Sequence, residues 1–353
     1  MGSSILSLKK DYKNYQRNRN AKEAIEMKKK EFVKCGVFCF TLFLLIFYGA
    51  SAVLAGEFSF VKKWGFICPK LFGCPAPTGF WGTSAIAVSP TGTIYVFDIM
   101  NARIHKYDTE GNFQGHLTSC PDTNPQTEDY CTGQGEVNYS PSIAVSPAGD
   151  FLYVSDPRSY RIHKFAANGT WVLSWGNFEL IPAAFREPSG IAVDNAGNVY
   201  VTDILDSKIL KFNANGILLS MWSHPYKSGD DFRPTGVFAA DSGVYVTDYK
   251  NSTLYQFDYN GTIITSWGGF DGTAAGEFTY PAAVAVDAAD NIFVADTLNN
   301  RIQALSGTSW TAYAQGVGEG KLNRPFGIAT DATGNVFVAD TFNHRVLKYT
   351  YTP

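Results

Sequence analysis

The chain has 353 residues, with 45% hydrophobic, 15% aromatic and 17% charged side chains and 33 glycines. That balance suits a folded protein and favours β-structure with many tight turns over a helical bundle. The formal charge of −3 hides a split: residues 1–34 carry a net +6, residues 35–56 carry none, and residues 57–353 therefore carry −9. An acidic region of that size argues against nucleic acid as a partner, because such affinity rests on Lys and Arg neutralising phosphates.

Residues 1–35 read as a basic cytoplasmic segment. Residues 36–55 (GVFCFTLFLLIFYGASAVLA) are uncharged and, as a helix, span about 30 Å, one bilayer core. Lys28, Lys29, Lys30 and Lys34 precede them, which predicts an inside N-terminus and export of residues 57–353. Two readings stay open. One is a transmembrane signal-anchor; the other is a cleaved signal peptide, with Ala50-Ser51-Ala52 and Val53-Leu54-Ala55 fitting small-x-small cleavage and Met27 as an internal start. The expected location is accordingly the cell surface, single-pass, or outside the cell. In an exported chain Cys68, Cys74, Cys120 and Cys131 imply two disulfides with three connectivities, of which the local pairs Cys68–Cys74 and Cys120–Cys131 are favoured. Their spacing does not suit paired zinc knuckles.

From there to the C-terminus the chain repeats. Asp98, Asp156, Asp203, Asp248, Asp296 and Asp340 each end a short β-type run: IYVFD, LYVSD, VYVTD, VYVTD, IFVAD and VFVAD. About eleven residues earlier lies an apolar strand (AIAV, SIAV, GIAV, GVFA, AVAV, GIAT), and just after each Asp comes a third (RIHKY, RIHKF, KILKF, TLYQF, RIQAL, RVLKY). A fourth ends several units in Trp-Gly. Asn168-Gly169, Asn215-Gly216 and Asn260-Gly261 lead into it and read as two-residue hairpin turns. Four strands in units of about 45 residues describe propeller blades. The last unit lacks a fourth strand, whereas residues 58–65 (FSFVKKWG) are a fourth strand with nothing before it, so the two ends are predicted to complete one blade. Phe238 replaces the alanine that recurs mid-strand in the other five units, which predicts a locally different channel wall.

The units resemble the NHL-repeat family, most closely in NIFVADTLNNRIQAL and NVFVADTFNHRVLKY. The resemblance implies an all-β, six-bladed NHL-type propeller over residues 57–353, closed by strand 58–65 and preceded by one membrane-spanning or signal helix. It implies little about function, since the family holds RNA-binding domains, extracellular sensors and peptide-amidating lyases.

The six Asp, with the Asn and Arg three and five residues on, recur too regularly to be one catalytic site and are read as structural. No catalytic residue and no cofactor are predicted. A channel calcium or zinc ion belongs to the alternative, a metal-dependent enzyme resembling the amidating lyases or propeller lactonases. Symmetry breaks where the chain enters each first strand: Gly82, Ser140, Glu187, Arg233, Tyr280 and Arg324, with Tyr139 and Arg186 one step out. A specific site needs such asymmetry, so Glu187, Arg233, Tyr280, Arg324, Tyr139 and Arg186 form the candidate ring for a protein, peptide or glycan. Sequons at Asn138, Asn168, Asn251 and Asn260 are candidate glycosylation sites.

Overall fold

The computed structural model describes residues 57–66, 79–119, 137, 142–176, 184–224, 232–316 and 318–353. The predicted helix at 36–55, the four cysteines, Tyr139, Ser140 and the sequon at Asn138 lie outside them. Among the described residues, no helix is long and apolar enough to cross a membrane.

The described strands form six four-stranded antiparallel sheets. In blade 3 the chain runs Pro188–Val193, Val199–Asp203, Lys208–Phe212 and Leu218–Trp222, from the inner to the outer strand. Blades 1, 2, 4 and 5 repeat that order from Thr83, Ile143, Pro234 and Pro281. Blade 6 joins both ends of the chain: Pro325–Thr330, Asn335–Asp340 and Arg345–Thr352, with Glu57–Trp64 as its fourth strand. Glu57 pairs with Thr352 and Trp64 with Val346, so the closing strand is the one expected from the sequence. First strands touch their neighbours around a complete ring, enclosing an axial channel of about 400 Å³.

The core is divided. Six apolar clusters each take side chains from two neighbouring blades, so each blade interface has its own core. Ile, Val and aromatic residues fill both faces of the middle strands because both faces are covered. Towards the axis the space narrows to backbone contact: a Cβ on Gly236 would lie 2.7 Å from the Ala282 carbonyl oxygen of the next blade, and one on Gly190 would collide with that of Thr235. All five alanines recurring mid-strand join the clusters between blades. Phe238 lines the channel and packs towards two of those clusters.

Hydroxyls staple the ring where sheets meet. Ser155 Oγ donates to the Ser189 carbonyl (2.5 Å), Thr202 Oγ1 to that of Thr235 (2.6 Å), and Thr297 Oγ1 to that of Pro325 (2.6 Å). Further out, Lys164 Nζ donates to the Ala214 carbonyl (2.9 Å) and Lys348 Nζ to that of Thr109 (3.0 Å). Each of these bonds crosses from one blade to the next.

The Asn-Gly hairpins differ from the two-residue turns expected. Asp258 N–H donates to the Thr262 carbonyl and Gly261 N–H to that of Asp258, so three residues form the loop and a bulge follows. Asp258 Oδ1 accepts from the N–H groups of Asn260 and Thr262, and only Gly261 has positive φ (+89°). That glycine lies against Trp222 of blade 3, where a Cβ would come within 2.5 Å of the indole.

Phe58 seals the closing blade, with ring centroids 4.7 Å from Tyr313 and 4.6 Å from Tyr349. Phe58→Ala opens a cavity there and is expected to cost about 3 kcal/mol. Urea unfolding of the two proteins measures this; equal midpoints would show that the ring does not depend on its N-terminal strand.

Candidate functional site

The repeat aspartates build the face on which the first strands begin. All six are 0% exposed. The N–H groups of Trp81, Arg186, Thr279 and Asn323 donate to Asp98, Asp203, Asp296 and Asp340 at 2.7–2.8 Å, and that of Arg233 to Asp248 at 3.3 Å. Each of these five carboxylates thus ties the segment entering its blade to the end of the second strand, and Asp156 accepts from the N–H groups of Arg158 and Ser159 in the turn that follows it. Asn101, Asn251, Asn299 and Asn343 add side-chain donors. Arg301 Nε donates to Asp296 at 2.6 Å and Arg345 Nε to Asp340 at 2.7 Å, while the same guanidinium groups donate to the carbonyls of Ala274 and Lys321. These bonds anchor the entry segments. Blade 3 departs from the Arg pairing, because Lys208 pairs with Asp206 instead (3.5 Å). Asn251, read as a sequon, has its amide nitrogen committed to Asp248 (2.6 Å), whereas Asn168 and Asn260 are exposed.

Burial pushes the Asp296 carboxyl above its ordinary value even though Thr279 N–H, Asn299 and Arg301 pull it down, and Asp340 behaves likewise. In blade 1 the seventh residue after Asp is His105, whose Nε2 lies 3.3 Å from Asp98 and whose Nδ1 has no partner. Burial holds this imidazole below its usual value, against the upward pull of Asp98.

The candidate ring divides on this scaffold. Glu187 is half-buried; burial and Asp203 raise its carboxyl, and the nearby Arg233 pulls it back. Arg233 donates to the Ile204 carbonyl (2.9 Å) and accepts at its own carbonyl from Tyr249 N–H. Tyr249 lies on Tyr280 with ring centroids 4.7 Å apart, and Tyr280 meets Phe326 edge-on at 6.3 Å. Arg324 places its guanidinium 4.8 Å from the centre of the Phe342 ring. Glu187, Arg233, Tyr280 and Arg324 therefore belong to one arc across blades 3–6. Arg186 stands at its edge, exposed and 3.5 Å from Asp206.

Tyr249, Phe326 and Phe342 complete the arc and were missed by the sequence reading. Two of them follow a repeat Asp by one or two residues, at positions as variable as those entering the first strands. Also unforeseen is the backbone. Tyr280 (φ +56°) and Arg324 (φ +49°) adopt the left-handed conformation that Gly82 (φ +88°) holds at the corresponding place in blade 1. Tyr and Arg are strained there by roughly 1–2 kcal/mol each, and glycine is not. The loop before Tyr280 carries Phe270, 80% exposed, while Arg301 fixes the loop by donating to the Thr273, Ala274 and Glu277 carbonyls.

The channel offers less. Its described wall is mainly Ala, Gly, Val, Ile, Ser and Thr with Phe238, and its carboxylate, Asp331, already accepts from Thr333 and Asn335. Hydroxyls and one committed carboxylate do not fit the donor set of a catalytic zinc or calcium ion.

The NHL repeat model matches residues 185–208, 278–305 and 322–349. Protein brain tumor of Drosophila melanogaster is 26% identical over 141 residues, 40% of this chain. The match spans 12% of that protein's length. Among solved structures, a Bacteroides thetaiotaomicron protein of unknown function superposes with a TM-score of 0.64 at 14% identity, covering 84% of this chain and 76% of its own. Virginiamycin B lyase from Staphylococcus aureus gives 0.58 at 15% identity, covering 83% and 99%. These two likenesses establish the fold alone.

Replacing Asp296 by Ala removes the acceptor of the Thr279 N–H and one acceptor each of Asn299 and the buried Arg301. The expected loss is about 3 kcal/mol, read as a shift in urea midpoint, with exposed Ser220→Ala on the outer strand of blade 3 as the near-neutral control. A second prediction concerns acid. Because the His105 value is depressed on folding, its contribution is complete above the unfolded value of about 6.5 and is lost as pH falls through the lower folded value. His105→Gln copies Gln303 of blade 5, which donates to Asp296, and should flatten that part of the melting-temperature profile. Identical profiles for the two proteins would remove His105 as the cause.

Proposed function

We propose that this chain, which belongs to the NHL-repeat propellers, is an exported binding module that holds a protein or peptide segment on the arc from Glu187 to Phe342. The strained pair Tyr280 and Arg324 carries the reading. A turn that glycine fills without cost has a ring and a guanidinium instead, both directed to the surface of one arc. Stability spent on exposed side chains is characteristic of binding positions. Rigid entry segments support the same reading, because a preformed site binds with less loss of conformational entropy.

Export rests on the lysines before residues 36–55 and on that apolar stretch itself. The chain enters the propeller at Glu57, opposite Thr352 and away from the turns that follow the repeat aspartates.

The test is a pair of glycine substitutions. Tyr280→Gly with Arg324→Gly relieves two positive-φ side chains while removing a ring and a charge, so folding stability should change by less than about 1 kcal/mol. Crosslinked capture of partners at the native cell surface should fail with this variant and persist with Asp241→Asn on the opposite face. Equal capture by the wild type and the double variant would place binding elsewhere.

A further inference from the structure

Cations are unevenly placed along the axis of the propeller. The turns between first and second strands hold Asp150, Asp194, Asp241, Asp287, Asp290 and Asp331, and no Lys or Arg. At the opposite end, the entry positions and the turns after the repeat aspartates carry Arg158, Arg186, Arg233, Lys250 and Arg324. Four of these five side chains are exposed and Arg233 is half-buried. The acids described among those same positions, apart from the repeat aspartates, are Glu187 and Asp206. The repeat carboxylates lie beneath this surface, fully buried and accepting from backbone N–H groups, Asn and Arg. The described connecting loops at this end add Asp271, Glu277 and Glu319, so the cationic character is local to the arc, where Arg233 and Arg324 flank the aromatic side chains and Glu187 is the nearby acid.

Apolar groups accompany the cations. Tyr249, Tyr280 and Phe326 make a contiguous half-buried surface between Arg233 and Arg324, and Phe270 stands in solvent on the neighbouring loop. Cations dispersed over several blades, with Glu187 among them, make a poor track for a continuous phosphate backbone. They suit a short ligand with a few carboxylates at fixed spacing, set beside a side chain that can lie on aromatic rings.

Resting on the same arc, we propose that the ligand is an acidic peptide segment in which carboxylates flank an aromatic or large apolar residue. Arg233 and Arg324 receive the carboxylates, and the apolar side chain lies on Tyr280 and its two aromatic neighbours. Arg324 already rests on Phe342, which limits the freedom it loses on pairing. Glu187, beside Arg233, repels any second carboxylate on that side and so sets the spacing.

The test uses fluorescence anisotropy of the full chain with four dye-labelled probes: an Asp/Glu/Phe peptide, its Asn/Gln/Phe counterpart, its Asp/Glu/Ala counterpart, and single-stranded RNA. The acidic aromatic peptide should bind most tightly. Each counterpart should be weaker by roughly tenfold, and added salt should weaken the acidic peptide more than the neutral one. Arg324→Gly should remove the preference for the acidic peptide over the neutral one. Equal binding of the acidic and neutral peptides, tighter binding of RNA, or no binding of any peptide overturns the proposed ligand class. If the Tyr280→Gly/Arg324→Gly chain meanwhile loses its native partners, the arc stands as the site and only the ligand class fails; if it keeps them, the site itself fails.

Discussion

The propeller depends on a carboxylate placed where water cannot reach it. A buried aspartate at the end of each second strand is stable only if its oxygens are filled, and in blades 1, 3, 4, 5 and 6 N–H groups of the segment entering the same blade donate to it. Filling them fixes the path of that segment. Bonds to a charged acceptor contribute roughly 1.5–3 kcal/mol each, so even a strained side chain does not dislodge the turn. Elsewhere in the same blades Asp258 accepts similar N–H bonds in the open, and Thr262 N–H holds its carboxyl below the ordinary value. Asp296 and Asp340 move in the opposite direction because burial outweighs their partners. The difference between them is burial, and that is why the repeat position needs Asn and Arg besides the backbone.

With the backbone held in this way, Phe185, Phe232, Phe278 and Leu322 on the entry segments fill the cores between blades, while the side chains at 187, 233, 280 and 324 are relieved of core packing. The cores lie between blades, the staples run along hydroxyls and lysines, and none requires a particular residue at 187, 233, 280 or 324. Variation at those positions costs little as long as the N–H groups remain. Tyr280 and Arg324 exceed that tolerance, since their backbone angles penalise any residue but glycine.

Period and closure were legible because each is written in residue types that physics restricts. Asp ends the second strand in all six units, and a lone fourth strand at one end matches its absence at the other. The hairpins were misread for a local reason. Asn-Gly alone signals a two-residue turn, but Asp258 two residues earlier captures the N–H groups of Asn260 and Thr262 and lengthens the loop. The arc was only half legible. Its entry residues stood out by breaking symmetry, whereas Tyr249 and Phe326 belong to different blades and meet only through the ring. Positive φ at Tyr280 and Arg324 left no trace, since each precedes a proline, where backbone of another kind is the norm.

Net charge was the least informative of the bulk properties. A value of −9 over residues 57–353 argues against anionic ligands only if the charges act together. First strands of about six residues separate the two ends of the propeller by roughly 20 Å. The screening length at physiological salt is about 8 Å. A ligand at the entry face is therefore governed by Arg233, Arg324 and Glu187, while the aspartates in the far turns are screened from it. The same argument makes the far face repel anions. An acidic segment of the proposed kind would be held on the arc side alone, which would give the proposed module a direction as well as a site.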